Sequence, residues 1–431
     1  MAALTDRALA AYAAVALPLA AAALPVHVQV PKHYAGLGLD LALVGFLLLA
    51  VRLLDAVSDP LLGALADRIP ARCGGRKAMI GGAVLPLAAG FWLLFNPPAA
   101  GAGLAAWLAG SLVLTYLGLS AASIGHFALG SALSRDYAER TRITAARGIA
   151  ALAGVLLAAA GPELLVRSQG AAAGLTLFST AYVPLLLAAA MITLAAGPAA
   201  PPVAARAVTL RALLQPLRNP RFRRLALVFL VNGVAAAVPA TLLLFFAADV
   251  LQRPDLTPLF LVLYFVAGAA GMPLWVRLAA RAGKARAWLL AMAMAVAAFV
   301  WAYFLGAGDA AAFAAVCVLS GLAFGADLAL PTSMLADVID DDEGRDGRPD
   351  GAYFGLWHLL EKLALALAAG IALPLLQWLD YVPGTAAGQG SALSWVYALL
   401  PCVIKLAALL ILWLSGPESR QPSPGWKGVQ A

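Results

Sequence analysis

The feature that most constrains this chain is a succession of twelve long apolar runs, separated by short segments rich in turn formers or basic residues. They span approximately 8–33, 40–66, 78–96, 101–133, 143–166, 171–197, 223–251, 256–279, 287–306, 309–339, 353–379 and 391–415. A helix needs about 20 mostly apolar residues to cross the hydrocarbon core of a bilayer. Composition agrees, since 63% of the 431 residues are hydrophobic and only 12% are charged. That is about half the charged fraction of a soluble domain, and in water so much apolar surface would stay uncovered. The runs are continuous rather than alternating, which excludes a membrane barrel. The expected fold class is an all-α membrane protein with about twelve transmembrane helices and the lipid bilayer as its surroundings. The first run, about Leu9 to Val30, is too long for a signal-peptide core and reads as a retained helix.

The net charge of +7 does not point to nucleic acid, because the basic residues lie in short loops between apolar runs. About 22 of them fall on one side of the predicted topology, and only Lys32, Arg167 and Arg253 on the other. The excess of Lys and Arg on the cytoplasmic side of membrane proteins then places both termini in the cytoplasm, which requires an even number of spans. Cys73, Cys317 and Cys402 are far apart and show no metal-ligand spacing, so they read as reduced and structural.

The stretch 198–222 opens with Pro198, Pro201 and Pro202 and ends in a basic cluster. It divides the chain into an N-terminal half, 1–197, and a C-terminal half, 223–415, followed by a cytoplasmic tail, 416–431. A faint repeat supports the division. The loop after span two carries Pro60, Asp67, Arg68, Gly75, Arg76 and Lys77; the loop after span eight carries Pro273, Arg277, Arg281, Gly283 and Lys284. Two parallel six-helix halves with a site between them resemble the major facilitator architecture.

A charged side chain at the bilayer centre costs about 2.5–3.5 kcal/mol, so each one needs a partner, water or a function. Span two holds Arg52, Asp55 and Asp59. The two acids are four residues apart and share a helical face. Adjacent carboxylates in a low-dielectric site repel unless a cation or proton joins them, so Asp55 and Asp59 are a candidate site for Na+ or H+. The bland alternative is an Arg52–Asp55 pair that helps the helix fold. Arg147, one turn inside span five, is either a snorkelling interfacial residue or a substrate contact. Asp327 in span ten has no neutralising neighbour in sequence. Tyr353 and Trp357 lead at four-residue spacing to Glu361 and Lys362 in span eleven, which suits a polar ring-shaped ligand or an ordinary packing stripe. Lys405 in span twelve also lacks a partner nearby in sequence, and reaching the headgroups is one reading of it. His126 in span four is either a proton carrier or a packing residue.

At Arg52-Leu-Leu-Asp55-Ala-Val-Ser-Asp59-Pro60-Leu-Leu-Gly63-Ala-Leu-Ala-Asp67-Arg68 the chain resembles the glycoside–pentoside–hexuronide:cation symporters, the family of the melibiose permease. Similar agreement covers Leu133 to Arg142, Leu335 to Asp340, and Tyr353 through Lys362. The resemblance implies a major facilitator fold in a bacterial-type inner membrane, and uptake of sugars or glycosides with Na+, Li+ or H+. It implies cation binding at Asp55 and Asp59, and sugar contacts at Arg147 and at Lys362 or, by a one-residue shift, Glu361. The family's acids on helices one and four are absent here, because no Asp or Glu occurs between Ala8 and Leu39 or between Gly101 and Ser134. Ser123 is the expected helix-four position. Neither galactoside specificity nor a three-acid sodium site carries over, which tilts the expectation slightly toward protons.

The expected function is therefore a cation-coupled symporter of a small polar solute, a sugar or glycoside, working by alternating access. Arg52, Ser123, His126, Arg147, Asp327, Tyr353, Trp357, Glu361 and Lys362 are the candidate substrate contacts. Asp67, Arg68, Arg76 and Lys77 are expected to latch the cytoplasmic side through salt bridges. No cofactor, no metal beyond the coupling ion and no obligatory partner chain is expected, so a monomer suffices. A proton-driven exporter or amphiphile transporter of the same fold is the alternative. No nucleophile elbow, histidine cluster or metal motif supports an enzyme, and the tail from Gly416 is too short for a signalling domain.

Overall fold

A computed structural model describes residues 4–68, 75–98, 101, 103–133, 137–198, 214–342, 350–384 and 390–415. Twelve helices among these residues are long and apolar enough to cross a membrane. They are α1 (Asp6–Gly36), α2 (Leu41–Arg68), α3 (Gly75–Phe95), α4 (Leu104–Leu133), α5 (Tyr137–Gln169), α6 (Ala171–Ala196), α7 (Pro220–Val250), α8 (Thr257–Ala282), α9 (Lys284–Phe304), α10 (Ala310–Asp342), α11 (Asp350–Trp378) and α12 (Ser391–Leu414). Each coincides with one apolar run of the sequence. No strand occurs among the described residues. Asn219 caps α7 by accepting from the amides of Arg221 and Phe222, and Pro220 fills the first helical position, where a missing N–H costs nothing. Most of the linker 198–222 lies outside the described residues.

Prolines sit inside most of the helices, for example Pro86 in α3 and Pro331 in α10. Membrane helices accept them because neighbouring helices re-satisfy the freed carbonyls. Close approach between helices depends on small residues. A Cβ added to Gly118 of α4 would lie 2.6 Å from the backbone N of Leu87 in α3, and one added to Gly325 of α10 would lie 2.5 Å from the carbonyl O of Gly268 in α8. Large apolar side chains such as Val57, Leu61, Leu85 and Ile149 are exposed on the outside of the helices. Trp301, Trp378 and Trp395 are exposed at helix ends, where aromatic rings anchor a protein at the membrane interface.

Helices α1–α6 pack chiefly among themselves, as do α7–α12. Three seams join the two groups: α2 against α11, α5 against α8, and α1 against α7. On the face opposite the termini the groups are tied by hydrogen bonds. Lys32 Nζ donates to the carbonyl of Leu244 at 3.2 Å, and the amide of Ala42 donates to Gln377 Oε1 at 2.7 Å. Just beyond α11, the Tyr381 hydroxyl donates to Asp249 at the end of α7. Burial and that carboxylate hold the Tyr381 hydroxyl far above the ordinary phenol range. On the terminal side the described ion pairs stay within one group: Arg142 with Asp6 and Glu139, and Lys284 with Asp337. The described hydrogen bonds thus tie the groups on the face opposite the termini.

Gly45 of α2 tests this arrangement, because a Cβ there would lie 2.8 Å from the Ala369 carbonyl of α11. Gly45→Val is expected to pry this seam apart. In a cysteine-free background, labelling of Gln377→Cys by an impermeant maleimide from that face should then speed up. An unchanged labelling rate would count against the closed seam.

Candidate transport site

The α2–α11 seam carries the main charge cluster. Arg52, Asp55 and Asp59 recur at helical spacing and so share the inner face of α2. The Asp55 side chain is 1% exposed. Its Oδ1 accepts from Ser120 Oγ of α4 at 2.6 Å, and its Oδ2 lies 3.3 Å from Arg52 Nη1 and 2.9 Å from Lys362 Nζ of α11. Lys362 Nζ also donates to Asp59 Oδ2, in a short contact, and to Ser120 Oγ at 2.7 Å. Asp59 Oδ1 is buried with no partner among the described residues. The Arg52 guanidinium lies 4.5 Å from the ring centroid of Tyr116, one turn before Ser120 on α4. Two acids and two cations thus form a formally neutral cluster, which is how the membrane tolerates them. Lys362 spans the two helix groups, so the cluster is also a tie between them.

The structure brings together Arg52, Asp55, Asp59 and Lys362 from the sequence candidates. Ser120 rather than Ser123 makes the helix-four contact, one turn earlier on the same helix. Glu361 points elsewhere, 3.0 Å from His358 Nδ1. Arg147 stacks over Phe127 of α4 at 4.1 Å, and that ring lies 5.9 Å from His358, so a chain of side chains runs from α5 to α11 beside the cluster. His126 is buried, its Nε2 2.9 Å from the Tyr12 carbonyl and its ring stacked on Tyr12. Tyr353 and Trp357 are fully buried in the core of the C-terminal group, against Phe222 and Phe229, because the four-residue stripe faces α7. Lys77 donates to the Leu194 and Gly197 carbonyls at 3.0 and 2.6 Å, capping the end of α6 instead of bridging the groups. Arg76 is half-buried at the start of α3, and the side chains of Asp67 and Arg68 lie outside the described residues.

A second ion pair lies within the C-terminal group. Lys405 Nζ is 3.2 Å from Asp327 Oδ2 and donates to Asn232 Oδ1 at 2.7 Å. Trp288 Nε1 donates to the other Asp327 oxygen at 2.7 Å. Lys405 therefore does not reach for headgroups; it neutralises Asp327, which is 78 residues away in sequence. No sequence-local pattern links the two, and only the α10–α12 proximity reveals the pair. Removing one member leaves the other charge buried, at a cost of about 3–5 kcal/mol. Asp327→Asn is accordingly expected to lower thermal stability strongly in detergent, and Lys405→Met added to it should restore much of the loss. An additive double variant would count against the pairing.

Twelve spans in two groups of six, with buried charges bridging the seam, define a secondary transporter of the major facilitator class. Residues 11–415 match the family model described as MFS/sugar transport protein. The chain belongs to that family and, within it, to the glycoside–pentoside–hexuronide:cation symporters; it is a transporter, not an enzyme. It is 26% identical over 423 residues to the glucuronide carrier protein homolog of Escherichia coli, covering 87% of this chain and 84% of that protein. It is 24% identical over 400 residues to the putative glycoside/cation symporter YagG of the same organism, covering 88% and 84%. Among solved structures it is similar to a bacterial homolog of the human lysosomal transporter Spinster, captured inward-facing and unoccupied. That match has a TM-score of 0.69 and 14% identity, over 95% of this chain and 94% of that one. The nucleoside transporter NupG matches with a TM-score of 0.69 and 12% identity, over 94% and 98%. These two likenesses are of fold alone.

Proposed function

We propose that this protein is a cation-coupled symporter for a sugar or glycoside, and that Asp55 and Asp59 hold the coupling ion, H+ or Na+. The observation that carries the reading is the position of Lys362. Its ammonium reaches across the seam and occupies the same carboxylate oxygens that a cation would use. Cation and lysine then compete. A proton or sodium ion arriving from outside satisfies the acids, and Lys362 is released into the space between the groups. The freed ammonium donates to a sugar hydroxyl or a hexuronate carboxylate. Substrate therefore binds best when the cation is present, which is coupling by linkage. The Asp55, Asp59 and Ser120 oxygens are a hard donor set suited to Na+, and the buried free oxygen of Asp59 suits a proton equally.

In this reading both termini face the cytoplasm, because the basic loops lie on their side. The cluster is complete within one chain, so a monomer is sufficient. The tied face described above is then the outer one, and Arg147 and Glu361 flank the substrate path. The deciding experiment is uptake of labelled glycosides, pentoses and hexuronates into oriented proteoliposomes, with an imposed inward Na+ or H+ gradient or with neither. Uphill accumulation driven by one of the gradients supports symport. Accumulation that requires an outward gradient would instead establish the exporter alternative.

A further inference from the structure

The C-terminal group carries a half-open cavity of about 110 Å³ bounded by α7, α8, α9, α10 and α12. Its walls are aromatic, with Phe260, Tyr264, Phe265, Phe299, Phe324 and Tyr397 facing it. Its polar lining is the Asp327–Lys405 pair and, two turns away along α10, Ser320. Leu24 of α1 lines it from the opposite group, so the cavity adjoins the seam along which the groups meet. One turn further along α1, His27 lies 6.5 Å from the Tyr116 ring that carries Arg52. Leu24 and His27, three residues and about 4.5 Å of rise apart on α1, thus link the cavity to the charge cluster through the Tyr116 ring. The cavity's aromatic walls suit a flat ring entering from the open side rather than a sugar, whose hydroxyls would be left without partners.

We propose that this cavity is a subsite for the aromatic aglycone of a glycoside, with a ring substituent hydrogen-bonded to the Asp327–Lys405 pair. The charged pair is not needed for coupling in this arrangement. It supplies one acceptor and one donor of fixed position in an apolar slot, which is what orients a phenolic or nitro-substituted ring. The inference rests on the sugar–cation reading above, since the glycone is taken to lie at the Lys362 cluster. It predicts a preference for aryl over alkyl glycosides that the cluster alone does not explain.

The test uses Ala236→Phe and Ala240→Phe, which fill the cavity from α7, where both residues line it. Two probes are measured on the full-length protein. The first is 4-nitrophenol, whose binding is followed by quenching of tryptophan fluorescence, with Trp288, hydrogen-bonded to Asp327, as a reporter. The second is inhibition of uptake by phenyl β-glucuronide against methyl β-glucuronide. In the unmodified protein the phenyl compound should bind about ten- to a hundredfold tighter than the methyl one, from burial of the ring. The filling variants should erase that preference and abolish nitrophenol binding, with methyl glucuronide unaffected. Equal affinities in the unmodified protein, or nitrophenol binding unchanged by both variants, would overturn the subsite. So would native mass spectrometry showing an acyl lipid that the filling variants displace but nitrophenol does not. Failure of either glucuronide to be bound or moved would count against the sugar reading, and the nitrophenol measurement would still decide the cavity.

Discussion

In oriented proteoliposomes, Asp55→Asn and Asp59→Asn are each expected to abolish gradient-driven accumulation while the protein remains folded in the membrane. The reason is electrostatic. Each substitution removes one of the negative charges that a cation must meet, while Lys362 and Arg52 stay beside the site. A transported Na+ or H+ would then enter a region of net positive charge. At 4 Å and an effective dielectric of 20, one unit charge is worth about 4 kcal/mol, or roughly a thousandfold in cation affinity. Downhill exchange of substrate should survive better than accumulation, because alternating access itself does not need the ion gradient. The Asp55 substitution should be the more damaging to stability, because Asp55 is the acid that meets Arg52, Ser120 and Lys362 together. Normal accumulation by both variants would remove the cation site from α2.

Lys362→Met gives the second large effect, in the opposite sense. Without the ammonium, Asp55 and Asp59 face each other with only Arg52 to balance them. Taking one partner from a buried charge pair costs about 3–5 kcal/mol. The loss should be recovered by an added ion, so the variant is expected to become strongly dependent on Na+ or on low pH for its thermal stability. The unmodified protein should respond weakly, because its own lysine already fills the role. The rise in melting temperature per tenfold increase in the coupling ion should therefore be several times larger in Lys362→Met than in the parent. Active transport should be lost, since the lysine no longer reports cation occupancy to the other helix group. If the variant is as indifferent to Na+ and to pH as the parent, lysine and cation do not share a site.

The candidate site was legible in the sequence wherever a single helix carries the pattern. Arg52, Asp55 and Asp59 stand out because three charges in one apolar run demand an explanation, and their spacing places them on one face. Lys362 and Glu361 were distinguishable only by orientation, since adjacent residues on a helix point about a hundred degrees apart and nothing local says which faces α2. The same ambiguity separates Ser120 from Ser123, two serines one turn apart in a run of small residues. Tyr353 and Trp357 lie on the stripe that packs against α7, and a packing stripe reads in sequence just as a ligand-binding stripe does. Lys405 and Asp327 each looked unpartnered because their pairing is a property of two helices meeting, not of either helix.

By itself the sequence determined that this chain lives in lipid, crosses it about twelve times as helices, and carries paired acids in its second span. Those follow from local physics: the length of each apolar run, the cost of unpaired backbone in hydrocarbon, and the repulsion between neighbouring carboxylates. The tertiary structure alone decided which cation answers which acid, that Lys362 ties the two helix groups together, and that an aromatic cavity lies behind Asp327. Those depend on the rotation and crossing of helices far apart in the chain, and such long-range packing leaves no periodicity in the sequence for a reader to find.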